Sequence, residues 1–207
     1  MNSLGIFGSS GVAREIAIMA EEQGYKSVYF IDKNAGVEKI SGLKIIAEDE
    51  IKSIEDGDFI IGIGDGKIRR KIASEFSNLN YINLIHPSVT IGKKESKKLQ
   101  NLVGNIFYAG VRISTNTILG NFGLFNLNAT IAHDCIVENF VTVSPGANIS
   151  GNVFLGECSY IGAGATILQG KSLNDKLTIG AESTVGAGAV VVRTVTPRKI
   201  VKGIPAK

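Results

Sequence analysis

Residues 131–149 read IAHDCIVENFVTVSPGANI, with an apolar residue at every sixth position. The spacing extends over residues 113–191, where all 14 positions of the series are apolar. In a chain with 44% hydrophobic residues, such a run has a chance probability of about 10⁻⁵. The series is Ile113, Leu119, Phe125, Ile131, Val137, Val143, Ile149, Leu155, Ile161, Ile167, Leu173, Ile179, Val185 and Val191.

Small or apolar residues form a second series, four positions after the first, from Thr117 to Val195. A period of six matches neither an α-helix nor a long flat strand. It is typical of a parallel β-helix whose coils have three short sides, so that both series point into a prism. Each coil then uses about 18 residues and advances about 4.8 Å. Lys171 is the exception in the second series, which predicts a local bulge or loop over residues 169–172.

Residues 4–85 follow a different pattern, in which buried strands alternate with glycine turns and helices. This order predicts βαβ units and a parallel sheet. Strands are expected at residues 4–7, 27–32, 58–64 and 81–85, and helices at residues 12–23, 48–54 and 67–76, the last capped by Asp65. The chain is therefore divided into an α/β Rossmann-like domain over residues 1–85 and an all-β parallel β-helix of hexapeptide repeats over residues 86–207.

The repeat begins around Ile85 to Ile91, and a lysine-rich insertion interrupts it until Phe107. We expect this insertion to be a solvated loop, because runs of like charge usually remain in water. Pro197 is expected to end the last coil.

Composition excludes several classes of protein. A net charge of +3 gives no sign of a nucleic-acid surface, and the start of the sequence has no signal-peptide pattern. No apolar run approaches the length of a membrane span, so a cytoplasmic protein is expected. Two histidines exclude a site with three histidine ligands from one chain, and the two cysteines form no metal or redox motif, so no metal is expected.

Two places could support chemistry. Gly8-Ser9-Ser10-Gly11 follows the first strand and can present N–H groups to phosphate at a helix start, while Asp32 at the end of the second strand can accept from a sugar hydroxyl. The spacing is not the dinucleotide fingerprint, and a turn that merely packs helix on strand is an equal alternative. His133 and Asp134 point outward from the repeat, an arrangement suited to general-base catalysis. His86, before a proline, is expected to be structural.

The whole chain resembles the nucleotide-sugar N-acetyltransferases and related sialic acid O-acetyltransferases among the hexapeptide-repeat acyltransferases. The resemblance rests on Gly8-Ser9-Ser10-Gly11, Phe30-Ile31-Asp32, Gly62-Ile63-Gly64, Leu84-Ile85-His86-Pro87-Ser88, Asn126 with His133-Asp134, Ser144-Pro145-Gly146-Ala147, Val185-Gly186-Ala187-Gly188-Ala189 and Val201-x-Gly203-x-Pro205-Ala206-Lys207. It implies a left-handed β-helix and a homotrimer. Outward aromatic residues, expected to be covered by neighbouring subunits, agree with a trimer: Phe107, Phe122, Phe140 and Tyr160.

The resemblance also assigns roles. His133 would be the general base, oriented by Asp134, and Asn126 would line the acceptor pocket. The nucleotide of the sugar would lie on Gly8, Ser10, Gly11, Asp32 and Gly64. Acetyl-CoA would lie between two β-helices, with its pantetheine along Gly146, Ala163, Ala181 and Ala187 and its phosphates near Lys202 or Lys207.

The expected reaction is acetyl transfer from acetyl-CoA to the 4-amine of a nucleotide-linked 4-amino-4,6-dideoxy sugar. Family members that act on bacillosamine often have histidine where this chain has Val12, which argues against that sugar. O-acetylation of a sialic acid or similar sugar is one alternative, and a non-catalytic trimeric scaffold is another.

Overall fold

The computed structural model describes residues 3–33, 39–53 and 57–207, with backbone alone at residues 52 and 53. Its N-terminal part is a six-stranded sheet in the order β3-β4-β2-β1-β5-β6, parallel except for the pair β3 and β4. The strands are β1 (Ser3–Phe7), β2 (Ser27–Asp32), β3 (Lys39–Ile40), β4 (Leu43–Ala47), β5 (Asp58–Ile61) and β6 (Asn80–Tyr81). Two helices accompany them, α1 (Gly11–Glu22) and α2 (Gly66–Glu75), with a 3₁₀ helix at Glu48–Ser53.

The predicted βαβ pattern is confirmed, and Asp65 caps α2 through bonds from the N–H groups of Lys67 and Ile68. The pair β3 and β4 was not predicted. The helix expected at residues 48–54 is the 3₁₀ helix, with position 54 outside the described residues. The single strand expected at residues 81–85 is wrong: β6 ends the first sheet, and the next strand pairs with the β-helix.

The remainder of the chain winds through three parallel sheets that form the faces of a triangular prism. The first face consists of β8 (Thr90–Ile91), β10 (Arg112–Ile113), β13 (Thr130–Ile131), β16 (Asn148–Ile149), β19 (Thr166–Ile167) and β22 (Val190–Val191). The second face consists of β11 (Ile118–Leu119), β14 (Ile136–Val137), β17 (Val153–Leu155) and β20 (Leu177–Ile179). The third face consists of β7 (Leu84–Ile85), β9 (Ile106–Phe107), β12 (Leu124–Phe125), β15 (Thr142–Val143), β18 (Tyr160–Ile161), β21 (Thr184–Val185) and β23 (Ile200–Val201).

Turns join the faces at three corners. The first corner, between the first and second faces, includes residues 114–117, 132–135 and 150–152. The second corner, between the second and third faces, includes residues 120–123, 138–141, 156–159 and 180–183. The third corner, between the third and first faces, includes residues 126–129, 144–147, 162–165 and 186–189.

Most of the two inward series is buried in one continuous core. Phe107 belongs to that core and stacks on Phe125 with ring centroids 4.7 Å apart. The expectation that Phe107 faces outward is therefore wrong. Stacked aliphatic and aromatic side chains along the prism axis supply the apolar burial that stabilises the repeat.

The loop predicted near Lys171 is confirmed. Val153 pairs with Leu177, 24 residues later, whereas Thr130 pairs with Asn148 after the usual 18. The additional residues form a small projecting hairpin with a bridge between Ser172 and Asp175. Leu173, expected to point inward, is 61% exposed on this hairpin, so that expectation is wrong.

Two further expectations are corrected. The lysine-rich segment contains a helix, α3 (Lys93–Leu99), whose Leu99 and Glu95 are buried. An amphipathic turn of helix covers the first coil while its lysines remain in water. Pro197 does not end the β-helix either, because β23 follows it and pairs with β21.

The N-terminal sheet packs on the outward side of the third face. Ile106 and Leu124 share a buried cluster with Ile6 and Ile60 of the N-terminal sheet. At the second corner, Phe122 stacks on Phe140 and contacts Tyr81 edge-on. Phe122 and Phe140 are thus covered by the chain's own N-terminal sheet, not by a neighbour, whereas Tyr160 is 39% exposed.

Candidate active site

The first corner presents His133 and Asp134 to solvent. Asp134 has a positive φ of 59°, a conformation that aspartate tolerates better than most residues. Its N–H donates to Thr115 O, and His133 O accepts from the N–H of Asn152. Coil-to-coil bonds on both sides thus fix the backbone that holds the pair.

The two side chains form a close pair. His133 Nδ1 lies 2.6 Å from Asp134 Oδ2, and the His133 side chain is 52% exposed. An ionised carboxylate only accepts hydrogen bonds, so Nδ1 carries the proton and the lone pair of a neutral imidazole is on Nε2. The ring lies over Gly151, where a Cβ atom would come within 2.5 Å of Cε1. Nε2 is therefore the nitrogen available to a substrate.

Asp134 is itself held from two sides. Asn116 Nδ2 donates to Oδ1 at 3.2 Å, and Lys176 Nζ donates to the backbone oxygen of Asp134. The hydrogen bond with His133, and next that with Asn116, lowers the pKa of the Asp134 carboxyl below its ordinary value. The carboxylate therefore stays ionised as the pH falls, so an imidazolium at His133 would keep its negative partner.

A second polar cluster lies at the carboxyl edge of the N-terminal sheet. The strand order reverses between β1 and β5, and in open parallel sheets ligands bind at such a switch point. Gly8 follows β1 with φ of 94°, Ser10 is the N-cap of α1 and Gly11 its first residue, while Gly64 lies beyond β5. Ser9 Oγ donates to Asp32 Oδ2 at 2.7 Å. The structure thus brings these predicted residues to one edge.

Arg69 joins this edge to the β-helix. The residue is 1% exposed, and its guanidinium donates to six oxygens, at Ile63, Gly64, Phe122, Phe140, Val141 and Thr142. Burial lowers the pKa of Arg69 to about 10, so the side chain remains a cation at neutral pH. Thr142 Oγ1 donates to Gly64 O in turn. The loop after β5 is thereby fixed to the second corner and the third face.

The residues expected to contact acetyl-CoA lie mostly in one row. Gly146, Ala163 and Ala187 lie at the third corner of successive coils, and Lys202 follows β23 at the same edge. Asn126 begins the same row, with its Oδ1 accepting from the N–H of Leu127. Ala181 is apart from them, at the second corner.

One chain does not bring all the predicted residues together. The N-terminal sheet covers the third face, and the first corner with His133 lies on the opposite side of the prism.

His86 occupies a local structural position. Its Nδ1 accepts from the N–H of Ser88 at 3.0 Å and lies 2.8 Å from Ser88 Oγ, which accepts from the N–H of Gly110. These bonds order the turn into the first coil, in agreement with the expectation.

The described part of the chain contains no group of three or more His, Cys, Asp or Glu residues able to hold a metal ion. In the same residues no helix is long and apolar enough to cross a membrane.

The chain combines a triangular parallel β-helix, which carries an outward histidine–carboxylate pair, with a sheet of the nucleotide-binding type. This combination defines the chain as an acyltransferase of the hexapeptide-repeat class. Residues 3–76 match the family model of the PglD N-terminal domain. A GDP-perosamine N-acetyltransferase from Escherichia coli O157:H7 is 31% identical over 187 residues, which cover 82% of this chain and 80% of that protein. The chain belongs to the family of nucleotide-sugar N-acetyltransferases.

Solved structures match the entire chain. The acetyltransferase domain of PglB from Neisseria gonorrhoeae FA1090 is 28% identical with a TM-score of 0.86, covering 100% of this chain and 99% of that one. A histidine-to-asparagine mutant of perosamine N-acetyltransferase from Caulobacter crescentus, in complex with CoA and GDP-perosamine, is 25% identical with a TM-score of 0.88, covering 100% and 96%. These matches identify the β-helix as the left-handed kind.

Sequence reasoning missed the residues that support the site. Gly151, Asn116 and Lys176 lie on other coils, and Arg69 lies in the helix predicted over residues 67–76, for which no role of its side chains was predicted. Arg69 contacts coils more than 50 residues away along the chain, and such contacts leave no pattern in the sequence around residue 69.

Proposed function

We propose that this protein transfers the acetyl group of acetyl-CoA to the 4-amine of a nucleotide-linked 4-amino-4,6-dideoxy sugar, with GDP-perosamine as the leading candidate. The His133–Asp134 pair, at 2.6 Å on an exposed corner, is the observation that carries the proposal. A relative at 31% identity named for GDP-perosamine, and a solved structure holding CoA and GDP-perosamine, support the choice of substrate.

His133 acts as the general base in this proposal. A protonated amine has no lone pair, so the 4-ammonium group must lose a proton before or during attack on the thioester carbon. Nε2 of His133 accepts that proton, while Asp134 holds Nδ1–H and stabilises the imidazolium. The new C–N bond forms at the thioester carbon and the C–S bond then breaks, with the imidazolium returning its proton to the leaving thiolate of CoA and the attacking nitrogen releasing its second proton to solvent.

The N-terminal edge binds the nucleotide. The N–H groups at the start of α1 and the turn after Gly8 suit a diphosphate, because a helix N-terminus favours negative charge. Beyond Asp32, a cavity of about 610 Å³ lined by Lys33, Glu48 and Phe76 among others has room for a nucleobase.

Acetyl-CoA lies along the third corner in this proposal. Gly146, Ala163 and Ala187 leave the backbone of successive coils open to an extended pantetheine arm, and Lys202 at the end of the row supplies positive charge for phosphates. Ala181, at the second corner, would contact the molecule only from another subunit.

A homotrimer completes the site. His133 and the N-terminal edge lie on opposite sides of one prism, so the base of one chain would serve the sugar nucleotide of its neighbour. The first corner and the second face expose apolar side chains that a neighbour can cover, Ile118 and Leu168 among them.

A panel of nucleotide-linked 4-amino sugars with different bases, incubated with acetyl-CoA, tests the function. We expect release of free CoA thiol with GDP-perosamine, and an acetylated product confirmed by mass spectrometry. Burial raises the pKa of both Cys135 and Cys158, so the enzyme's own thiols should give little background with a thiol reagent.

His133→Ala tests the proposed general base, and His86→Ala is its control. Removing a general base lowers kcat by about 10²–10⁴ with little change in KM, and residual activity should rise with pH as free amine accumulates. Full kcat for His133→Ala at neutral pH would contradict the assignment of the base, and no thiol release with any amino sugar would contradict the function itself.

A further inference from the structure

Asp134 divides its two carboxylate oxygens between two partners. Oδ2 faces His133 Nδ1 at 2.6 Å, and Oδ1 accepts from Asn116 Nδ2 at 3.2 Å. A carboxylate held at one oxygen can still rotate about its last torsion. The bond from Asn116 fixes the second oxygen and therefore the direction of the first.

Asn116, which contacts the His133–Asp134 pair, is itself held by contacts with another element. It adopts a positive φ of 58°, one coil before Asp134, and its N–H donates to Glu95 Oε1 at 2.7 Å. Glu95 is 4% exposed on α3, so a buried side chain of a separate element fixes the position of this residue. A connected row of hydrogen bonds thus runs from Glu95 through Asn116 and Asp134 to His133.

We propose that Asn116 is a positioning residue of the acetyl transfer, which acts by holding the Asp134 carboxylate against His133 Nδ1 and so keeping the lone pair on Nε2. The inference rests on the proposed function only for its catalytic consequence; the arrangement itself can be measured without substrate. The amide suits this role because it donates a hydrogen bond without adding charge.

The charges around the pair make the identity of residue 116 testable. Lys176 Nζ donates to the Asp134 backbone oxygen, and Glu95 Oε1 accepts from the N–H of Asn116. Cys135 Sγ donates to His133 O. A carboxylate in place of the Asn116 amide would remove the donor, repel Asp134 and add negative charge near the imidazole. Negative charge beside the ring favours the imidazolium over the neutral imidazole that the proposed base requires.

The chain contains two histidines, so nuclear magnetic resonance of ¹³C,¹⁵N-histidine-labelled protein can follow each imidazole separately. In Asn116→Asp, we expect the ¹⁵N shifts of His133 at one neutral pH to move toward those of an imidazolium, while the His86 shifts stay in place. Asn116→Gly tolerates the positive φ; its ¹⁵N shifts should move away from the Nδ1–H tautomer, and kcat should fall about 5–10-fold with both KM values unchanged.

Asn80→Asp is the matched control. Asn80 Nδ2 donates to Asp58 Oδ1 at 2.7 Å in the N-terminal sheet, so this variant makes the same change of charge beside another carboxylate. It should leave the His133 ¹⁵N shifts and kcat unchanged. Unchanged His133 ¹⁵N shifts in both folded Asn116→Asp and folded Asn116→Gly would overturn the proposal, and so would an equal change of these shifts in Asn80→Asp. Because these spectra need no substrate, the outcomes are distinct from a failure of the proposed activity.

Discussion

At the scale of single residues, Gly151 determines how close the His133 imidazole lies to the next coil. A Cβ atom there would come within 2.5 Å of Cε1 and 2.7 Å of Nε2. The φ of Gly151 is outside the left-handed region, so its backbone accepts other residues. Glycine is therefore required for the position of the ring and not for the turn.

Gly151→Ala should show that Gly151 affects the position of the His133 imidazole and not the stability of the fold. Because the ring can swing toward solvent, the melting temperature should change little. Displacement of the base by about 1 Å costs on the order of 10²-fold, so kcat should fall about 10–100-fold at unchanged KM for both substrates. Steady-state kinetics and thermal unfolding measure the two effects. Unchanged kcat would show that the ring need not lie over Gly151, and a large loss of stability would show that the backbone does not tolerate alanine.

The outward direction of His133 could be predicted because the six-residue register assigns every side chain a direction. Its neighbours could be predicted only in part. Gly151 and Asn116 are each about one coil away along the chain, so the period suggests that they lie near His133, but it does not show which contacts they make. Lys176 directly follows the hairpin and donates to the backbone oxygen of Asp134. Its position depends on where the additional residues leave the coil, which the period does not show.

At the scale of secondary-structure elements, the hairpin shows how a period can mislead. It adds six residues, one full unit of the repeat, so the hydrophobic series continues in phase through Leu173 although that residue lies outside the prism. Lys171 was the one sign of the interruption. The lysine-rich segment was predicted as a loop for another reason. Helix α3 is too short to show a clear helical period, and only its Glu95 and Leu99 are buried.

Helix α2 joins the two parts of the chain through adjacent arginines in different surroundings. Arg69 is buried and donates to six oxygens, whereas Arg70 forms partly exposed ion pairs with Glu157 and Glu182. The basic pattern of this helix was visible in the sequence. Which of its cations is buried depends on the distant coils that α2 contacts.

Arg69→Met should destabilise the protein by about 2–5 kcal/mol, because it leaves buried carbonyl oxygens without donors. Arg70→Met should cost no more than about 1 kcal/mol, as expected of exposed ion pairs. Denaturant unfolding of both variants at one protein concentration measures the difference. Equal stabilities would mean that solvent or a rearranged helix satisfies the carbonyls, and that Arg69 does not fix the loop at Gly64.

At the scale of the whole molecule, the position of the N-terminal sheet on the β-helix determines where the reaction can occur. Ile106, Leu124 and Thr142 are the outward residues of the third face that receive it. Both parts of the fold could be predicted from periodicity, but the choice of face could not, since other faces also have outward apolar residues such as Ile118. That choice places His133 on the side away from the carboxyl edge of the chain's own N-terminal sheet.

A site shared between chains can be tested by mixing two defective variants. His133→Ala lacks the base, and Asp32→Ala should weaken binding of the sugar nucleotide about 10–100-fold through loss of one hydrogen bond to a charged group. If His133 of one chain serves the sugar nucleotide of its neighbour, random co-assembly at equal amounts leaves about a quarter of the sites with both residues intact. Co-expressed or refolded mixtures, assayed below the KM of Asp32→Ala, should therefore regain about that fraction of wild-type activity. Separately assembled variants mixed just before the assay are the control and should stay inactive. A co-assembled rate equal to the mean of the two parents would place the whole site within one chain, and sedimentation as a monomer at micromolar concentration would exclude the shared site altogether.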